Sequence, residues 1–247
     1  MNTNKQTLTT EISSRRLAIA AGVCYLITHV TAIGAAILYD PILNNARYIV
    51  GAGLDMQVIA GALLDVICAL GIVGTAVALF PIVKRQNEGI ALGYVGLRTL
   101  EAGIIAVGAI PLLAIVTLRQ TVDGDPATLV TLSGVLVAFY NWTALLGPGL
   151  VCGTNTVLMG YLMYKSHLVP RFIPVLGLVG GPLIFAITAA RMFGITEQFP
   201  SWLGIVVIPI FAWEVSLALW LILKGFNQST TASELNKTAA NPLMNAA

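Results

Sequence analysis

Apolar residues gather in six long runs, at 17–39, 56–82, 90–118, 142–164, 172–193 and 202–223, with short polar stretches between them. Each run has about the 20 residues that carry an α-helix across a hydrocarbon core about 30 Å thick. The pattern predicts six spanning helices. Arg15 and Arg16 precede the first run. That run is longer than the roughly 7–15 apolar residues of a cleaved signal, which predicts a retained membrane anchor.

One stretch fits less simply. Asp125-Pro126 reads as a helix start with proline in the first turn, and Leu129, Leu132, Leu136 and Phe139 recur at helical spacing. Carried on to Tyr164, this helix would be about 60 Å long, too long for one crossing. The expectation is a short interfacial or re-entrant helix on the outer side, then a bend into span four. A seventh span here would leave Lys165 and Arg171 outside.

Basic residues orient the bundle. Arg15, Arg16, Lys84, Arg85, Lys165, Arg171 and Lys224 fall on one face of a six-span arrangement. The other face holds Arg47, Arg119 and Arg191 with Asp40, Asp55, Asp123, Asp125 and Glu197. Cytoplasmic loops carry the excess of Lys and Arg. The prediction is an all-α, multi-pass bundle in the cell membrane with both termini cytoplasmic. Residues 1–15 would form an N-terminal tail, 16–226 a single bundle domain, and 227–247 a disordered tail of small polar residues. Trp142, Trp202, Tyr39 and Tyr48 are expected to form an outer aromatic belt.

Composition agrees with this class. Of 247 residues, 57% are hydrophobic, and 13 basic and 11 acidic side chains are too few to cover a soluble surface. A soluble enzyme, a secreted disulfide scaffold and a disordered regulator are thereby excluded. A net charge of +2 gives no footprint for nucleic acid. Cys24, Cys68 and Cys152 lie in apolar runs, and His29 and His167 are too far apart for a metal motif. No metal or cofactor is expected, and the implied partner is the lipid bilayer. Pro111, Pro148, Pro182 and Pro209 punctuate the spans. Gly89/Gly93, Gly149/Gly153 and Gly177/Gly181 have the spacing of close helix contacts.

Candidate chemistry sits inside the spans. Asp65, Arg98, Glu101 and Glu214 are ionisable residues in apolar runs, and His29 and Asn155 join them. A charge at such depth costs about 2.5–3.5 kcal/mol on insertion scales, so it must face the bundle interior or a wet cavity. Helical rise puts Glu101, Glu214 and Asn155 near the midplane, about 15–18 Å deep, and Asp65 in the outer half. Arg98 and Glu101 are spaced i, i+3 and can touch. Inward-facing lanes are predicted for Tyr25, His29 and Ala36, for Gly61, Asp65, Cys68 and Ile72, and for Asn141, Pro148, Cys152 and Asn155. Three carboxyls meet one arginine. Some must be neutralised by protons, by a protonated His29 or by a bound cation. The predicted role is binding or moving a proton, cation or small polar solute. The alternatives are an intramembrane enzyme acting on a lipid or isoprenoid, and a structural or sensory subunit. The sequence contains no G-x-S-x-G, H-E-x-x-H or aspartate-rich pair to support the enzyme.

Three stretches carry a resemblance. They are GYVGLRTLEA at 93–102, GYLMYKSHLVPRF at 160–172 and FAWEVSLALWLILKGF at 211–226. In this order they resemble the bacterial membrane family of domain of unknown function 4386, over about residues 16–226. The resemblance implies a shared fold and no particular reaction. Its matching positions are Arg98, Glu101, Glu214, Lys165, Pro170 and Arg171. Phe172-Ile173-Pro174 departs from it, standing where a tryptophan-leucine-glycine-like turn is expected.

Overall fold

The computed structural model describes residues 2–51, 53–196 and 203–227. It contains helices α1 (Asn2–Leu43), α2 (Asp55–Val83), α3 (Glu88–Thr121), α4 (Pro126–Ala144), α5 (Cys152–Ser166), α6 (Phe172–Met192) and α7 (Leu203–Leu223). A π turn, Leu145–Val151, joins α4 to α5, and a short 3₁₀ turn, Tyr48–Val50, follows α1. Among the described residues, six segments are long and apolar enough to cross a membrane: Ser14–Leu43, Asp55–Val83, Glu88–Thr121, Pro126–Ser166, Phe172–Met192 and Gly204–Leu223. Their outward faces carry large apolar side chains such as Val30, Ile37, Leu63, Leu70 and Ile205. A soluble protein would not leave so much apolar surface uncovered.

The spans close into a ring. α1 packs on α2 and α7, α2 on α3, α3 on the π turn and α5, α5 on α6, and α6 on α7. Close approach depends on small residues. A Cβ at Gly153 would stand 2.8 Å from the Gly181 carbonyl oxygen, and one at Gly181 would stand 2.7 Å from the Gly153 carbonyl oxygen. Of the glycine pairs read from the sequence, Gly149/Gly153 and Gly177/Gly181 therefore lie in tight helix contacts. Gly89 and Gly93 meet their neighbours at ordinary distances.

The two ends of the ring differ. At the end holding Lys84, Arg85, Lys165, Arg171 and Lys224, a continuous apolar core fills the interior, with Ala18, Leu79, Met159, Leu162, Leu217 and Leu221 nearly or fully buried. Arg15 caps α7 there, donating to the Leu221 and Ile222 carbonyls at 2.9 and 2.6 Å. Those carbonyls lie at a helix C-terminus, where backbone acceptors lack intrahelical partners and a cation is favoured. At the other end a polar knot ties the α1–α2 loop to α3. Arg119 pairs with Asp55 at 2.5 Å and donates to the Gly51 carbonyl, and Tyr48 donates to Asp55 at 2.9 Å. Burial, and the Asp55 carboxylate beside it, push the Tyr48 phenol up to about 12.

Two expectations change. The helix beginning at Asp125-Pro126 is present, with the Asp125 carboxylate accepting from the Thr128 backbone N–H. It is not set apart from span four by a break in the helical backbone. It continues through the π turn to Ser166, and its contacts run antiparallel along α3. Leu129 packs with Ile115 and Val116, Thr143 lies against Gly108, Gly147 against Ile104, and Asn155 against Glu101. The π turn is what permits this. Pro148 has no N–H, and the wider i→i+5 turn closes instead from the Cys152 N–H to the Gly147 carbonyl. Second, Tyr39 and Tyr48 are not belt residues. Both are buried, because Asp65 and Asp55 draw their hydroxyls inward. Trp142 is half-exposed, and Trp202 lies outside the described residues. Helix α1 begins at Asn2, so residues 2–15 are helical, and its span-length apolar segment begins at Ser14. The tail expected from residue 227 lies outside the described residues except for Asn227 itself.

Candidate functional site

Four spans meet at Arg98. It is 2% exposed, deep enough that every donor needs a partner. Nη1 pairs with Glu101 Oε2 at 3.1 Å and lies 3.8 Å from Glu214 Oε1. Nε and Nη2 both donate to the Thr75 hydroxyl, at 3.2 and 3.0 Å. The guanidinium carbon sits 5.4 Å from the centre of the Tyr25 ring, and the Tyr25 and Tyr94 hydroxyls are hydrogen-bonded at 3.1 Å. Asn155 donates to Glu101 Oε2 at 2.8 Å. The Arg98–Glu101 pair is thus buried, satisfied and fixed from α1, α2, α3 and α5.

Glu214 is held differently. Its Oε2 lies 3.4 Å from His29 Nε2, and both side chains keep about 15% of their surface accessible. The other imidazole nitrogen, Nδ1, is 2.9 Å from the Tyr25 carbonyl oxygen. A carbonyl oxygen can only accept, so Nδ1 carries a hydrogen. With that hydrogen committed, the gap between Nε2 and Oε2 has two neutral arrangements. Either His29 is a cation facing a carboxylate, or Glu214 carries the proton. Each contains one proton. Since Arg98 and Glu101 cancel, the cluster is neutral when one proton occupies this gap and singly negative when it leaves.

Asp65 stands apart. Its Oδ2 accepts from the Tyr39 hydroxyl at 2.8 Å. Among the described residues, no ion pair or hydrogen bond joins it to Arg98, Glu101 or Glu214. The structure brings five of the six sequence candidates, His29, Arg98, Glu101, Asn155 and Glu214, into one connected cluster and places Asp65, expected in the same cluster, in a second site. Sequence reasoning did not single out Thr75 or Tyr94. Both were reachable by spacing: Thr75 continues the Gly61–Asp65–Cys68–Ile72 lane by three residues, and Tyr94 lies one turn before Arg98.

Two cavities flank the π turn, and Ala144 and Pro148 line both. The larger, about 300 Å³, lies between the π turn, α6 and α7. Its walls are mostly apolar, with Leu145, Ile184, Val207, Ile210 and Phe211. Its polar lining comes from Glu214, Thr188, Cys152 and Arg191. The smaller, about 140 Å³, is lined by Asp65, Cys68, Tyr140, Thr143 and small residues of α1. Both lie on the side of the cluster away from the sealed basic end.

A ring of apolar, bilayer-length helices around a buried charged cluster makes this a multi-pass membrane protein. The chain belongs to the family described as domain of unknown function DUF4386, which matches residues 20–225. The matched region takes in the first two motifs read above and all of the third but its last residue, Phe226. Two of them supply Arg98, Glu101 and Glu214 to the cluster. The third supplies Lys165, Pro170 and Arg171 to the α5–α6 turn, where Arg171 donates to His167 Nε2 at 2.8 Å. The departure at Pro174 falls in the first turn of α6, where proline is tolerated. No curated protein and no solved structure matches the sequence.

Proposed function

We propose that the protein binds a proton, exchangeable for a small cationic or polar solute, at Glu214 and His29, and carries it across the cell membrane. In this reading both termini and the basic loops face the cytoplasm, following the excess of Lys and Arg at that end. The observation that carries the proposal is the contrast between two carboxylates. Glu101 is buried with Arg98 and Asn155 and has the partners of a structural ion pair. Glu214 lines a cavity and is 3.4 Å from an imidazole whose tautomer is already fixed. Intramembrane acids, histidines and interrupted helices are the parts from which proton and ion pathways are built. The sealed basic end and the cavities at the opposite end correspond to one-sided access, as alternating access requires of a single state.

Dye-loaded liposomes test the reading. An imposed pH gradient, with sodium, potassium and a tetraalkylammonium salt on the far side as exchange partners, should decay faster through the wild-type protein than through empty liposomes. Glu214→Gln should abolish the difference. Gradients that decay no faster than in empty liposomes, or a Glu214→Gln protein as active as wild type, contradict it.

A further inference from the structure

The chemistry of the larger cavity narrows the class of solute, and this step rests on the reading of Glu214 above. Its volume, about 300 Å³, is at the lower end of ordinary small-molecule sites. A bare metal cation is poorly served there. Hard cations take about six or more oxygen ligands at short range, whereas the lining side chains present the Glu214 carboxylate and the Thr188 hydroxyl as oxygen donors. Among the described residues no group of three or more His, Cys, Asp or Glu is arranged to hold a metal ion. The walls suit something else. Ile184, Val207, Ile210, Leu145 and Pro148 offer apolar surface, and Phe211, whose ring packs edge-on against His29 at 5.1 Å, adds an aromatic ring beside the acid. Aromatic rings attract organic cations without demanding that they shed a tight hydration shell. Arg191 lines the cavity two turns along α6 from Ile184, about 10 Å by helical rise.

We infer that this cavity binds an organic monocation with an apolar body, such as a quaternary or protonated amine, whose charge replaces the proton shared by His29 and Glu214. The exchange balances. The bound cation brings one positive charge to the cluster, and one proton leaves the His29 Nε2–Glu214 Oε2 gap for water. Arg98 remains paired with Glu101, so the net charge of the site is the same before and after. Other titratable or charged groups around the gap are Arg98, Glu101 and Tyr94 on α3, Tyr25 on α1, Cys152 at the start of α5, and Arg191 on α6. α2 contributes the neutral Thr75 hydroxyl. Arg98 already has Glu101 as its nearer acid partner, so Glu214 is the carboxylate left to meet the ligand, with Arg191 as the second cation on the cavity wall.

Calorimetry on the full detergent-purified chain tests this with benzyltrimethylammonium and its uncharged isostere neopentylbenzene. Titrations in two buffers of different ionisation enthalpy give the protons released. The expected result is about one proton released per benzyltrimethylammonium bound, with affinity rising about tenfold per pH unit while the gap is protonated. Neopentylbenzene should bind with no pH dependence or not at all. Glu214→Gln should lose both the cation binding and the proton release. Val207→Trp fills the cavity on the helix that carries Glu214 while keeping the carboxyl, and should also lose cation binding. Equal binding of charged and uncharged probes, binding without proton release, or unchanged binding in a folded Val207→Trp protein overturns the inference. If the wild type titrates one proton at Glu214 but binds no benzyltrimethylammonium, the solute class is wrong and the proton site stands. If neither occurs, both fail.

Discussion

His29 and Glu214 face each other across 3.4 Å, from α1 and α7, while the second imidazole nitrogen of His29 is held by the Tyr25 carbonyl one turn away. This relationship joins the first and last spans at the centre of the ring. It leaves one protonatable gap beside a cavity. The neighbouring pair, Arg98 and Glu101, is chemically similar but has no comparable opening. The difference between the two pairs sets most of what the protein should do when its side chains are changed.

Arg98→Ala should destabilise far more than Glu214→Gln. The first leaves Glu101 buried without its cation, a loss of about 3–5 kcal/mol. The second keeps the shape of a group that is already neutral in one of its two neutral arrangements. Melting temperatures of the two variants in one detergent at neutral pH decide the matter. Equal losses, or a larger loss for Glu214→Gln, contradict the charge assignment.

Thr75→Val should cost about 1–3 kcal/mol although valine is nearly isosteric, because two guanidinium donors then lose their acceptor inside the bundle. Thr75→Ser, which restores the hydroxyl, should recover most of the loss. A valine variant as stable as wild type would mean that water or another group takes over this role.

Tyr39→Phe should destabilise by about 1–3 kcal/mol, since Asp65 loses its donor in a buried site. Asp65→Asn in the same background should cost less than it does alone. That coupling in a double-mutant cycle measures the hydrogen bond itself. Additive losses would place the two side chains in independent roles.

Gly181→Val should separate α5 from α6. The added Cβ would meet the Gly153 backbone carbonyl, which cannot swing aside as a side chain could. The expected loss is about 1–3 kcal/mol or more, read as a lower unfolding temperature. Gly96→Val, at a glycine with nothing within 4 Å of the added Cβ, is the matched control.

The Tyr48 phenol gives a pH signature at the Arg119–Asp55 knot. Its folded value, about 12, lies above the ordinary value of about 10. The folded state therefore holds the proton more tightly. The resulting stabilisation is complete below about pH 10 and is lost as pH rises from 10 through 12. Unfolding measured over this window should show a steeper decline for wild type than for Tyr48→Phe. Parallel curves contradict the assignment.

Much of the architecture was legible because membranes constrain sequences simply. Apolar run length gave the spans, and the i, i+3 spacing gave the Arg98–Glu101 contact, which is set within one helix and needs no knowledge of neighbours. Helical rise brought Glu101, Glu214 and Asn155 to one level, and they meet there. Facing was harder. A tyrosine near a span end is equally at home in lipid headgroups or donating to a carboxylate, and only the positions of Asp55 and Asp65 on α2 decide for Tyr48 and Tyr39. Asp65 itself followed the inward lane but bonded to Tyr39, a partner on α1 that was read as lipid-facing. The long fourth span failed for a different reason. Length argued for a short outer helix over 125–140 and a bend into span four at 142–164, and the chain carries the helix on through a π turn that holds Pro148 and packs against Ile104 and Thr188 with no room for larger residues. Spacing rules built on 3.6 residues per turn do not see such a turn.

The most direct test of the account is a proton count. Wild-type protein and the double variant His29→Gln/Glu214→Gln, which removes both groups that can hold the proton, are each titrated in unbuffered detergent between about pH 5 and pH 9 and the protons bound per chain are compared. The predicted result is that wild type takes up close to one more proton per chain than the double variant, and that Asp65→Asn leaves this difference intact. Identical titration curves for wild type and a folded double variant would contradict it.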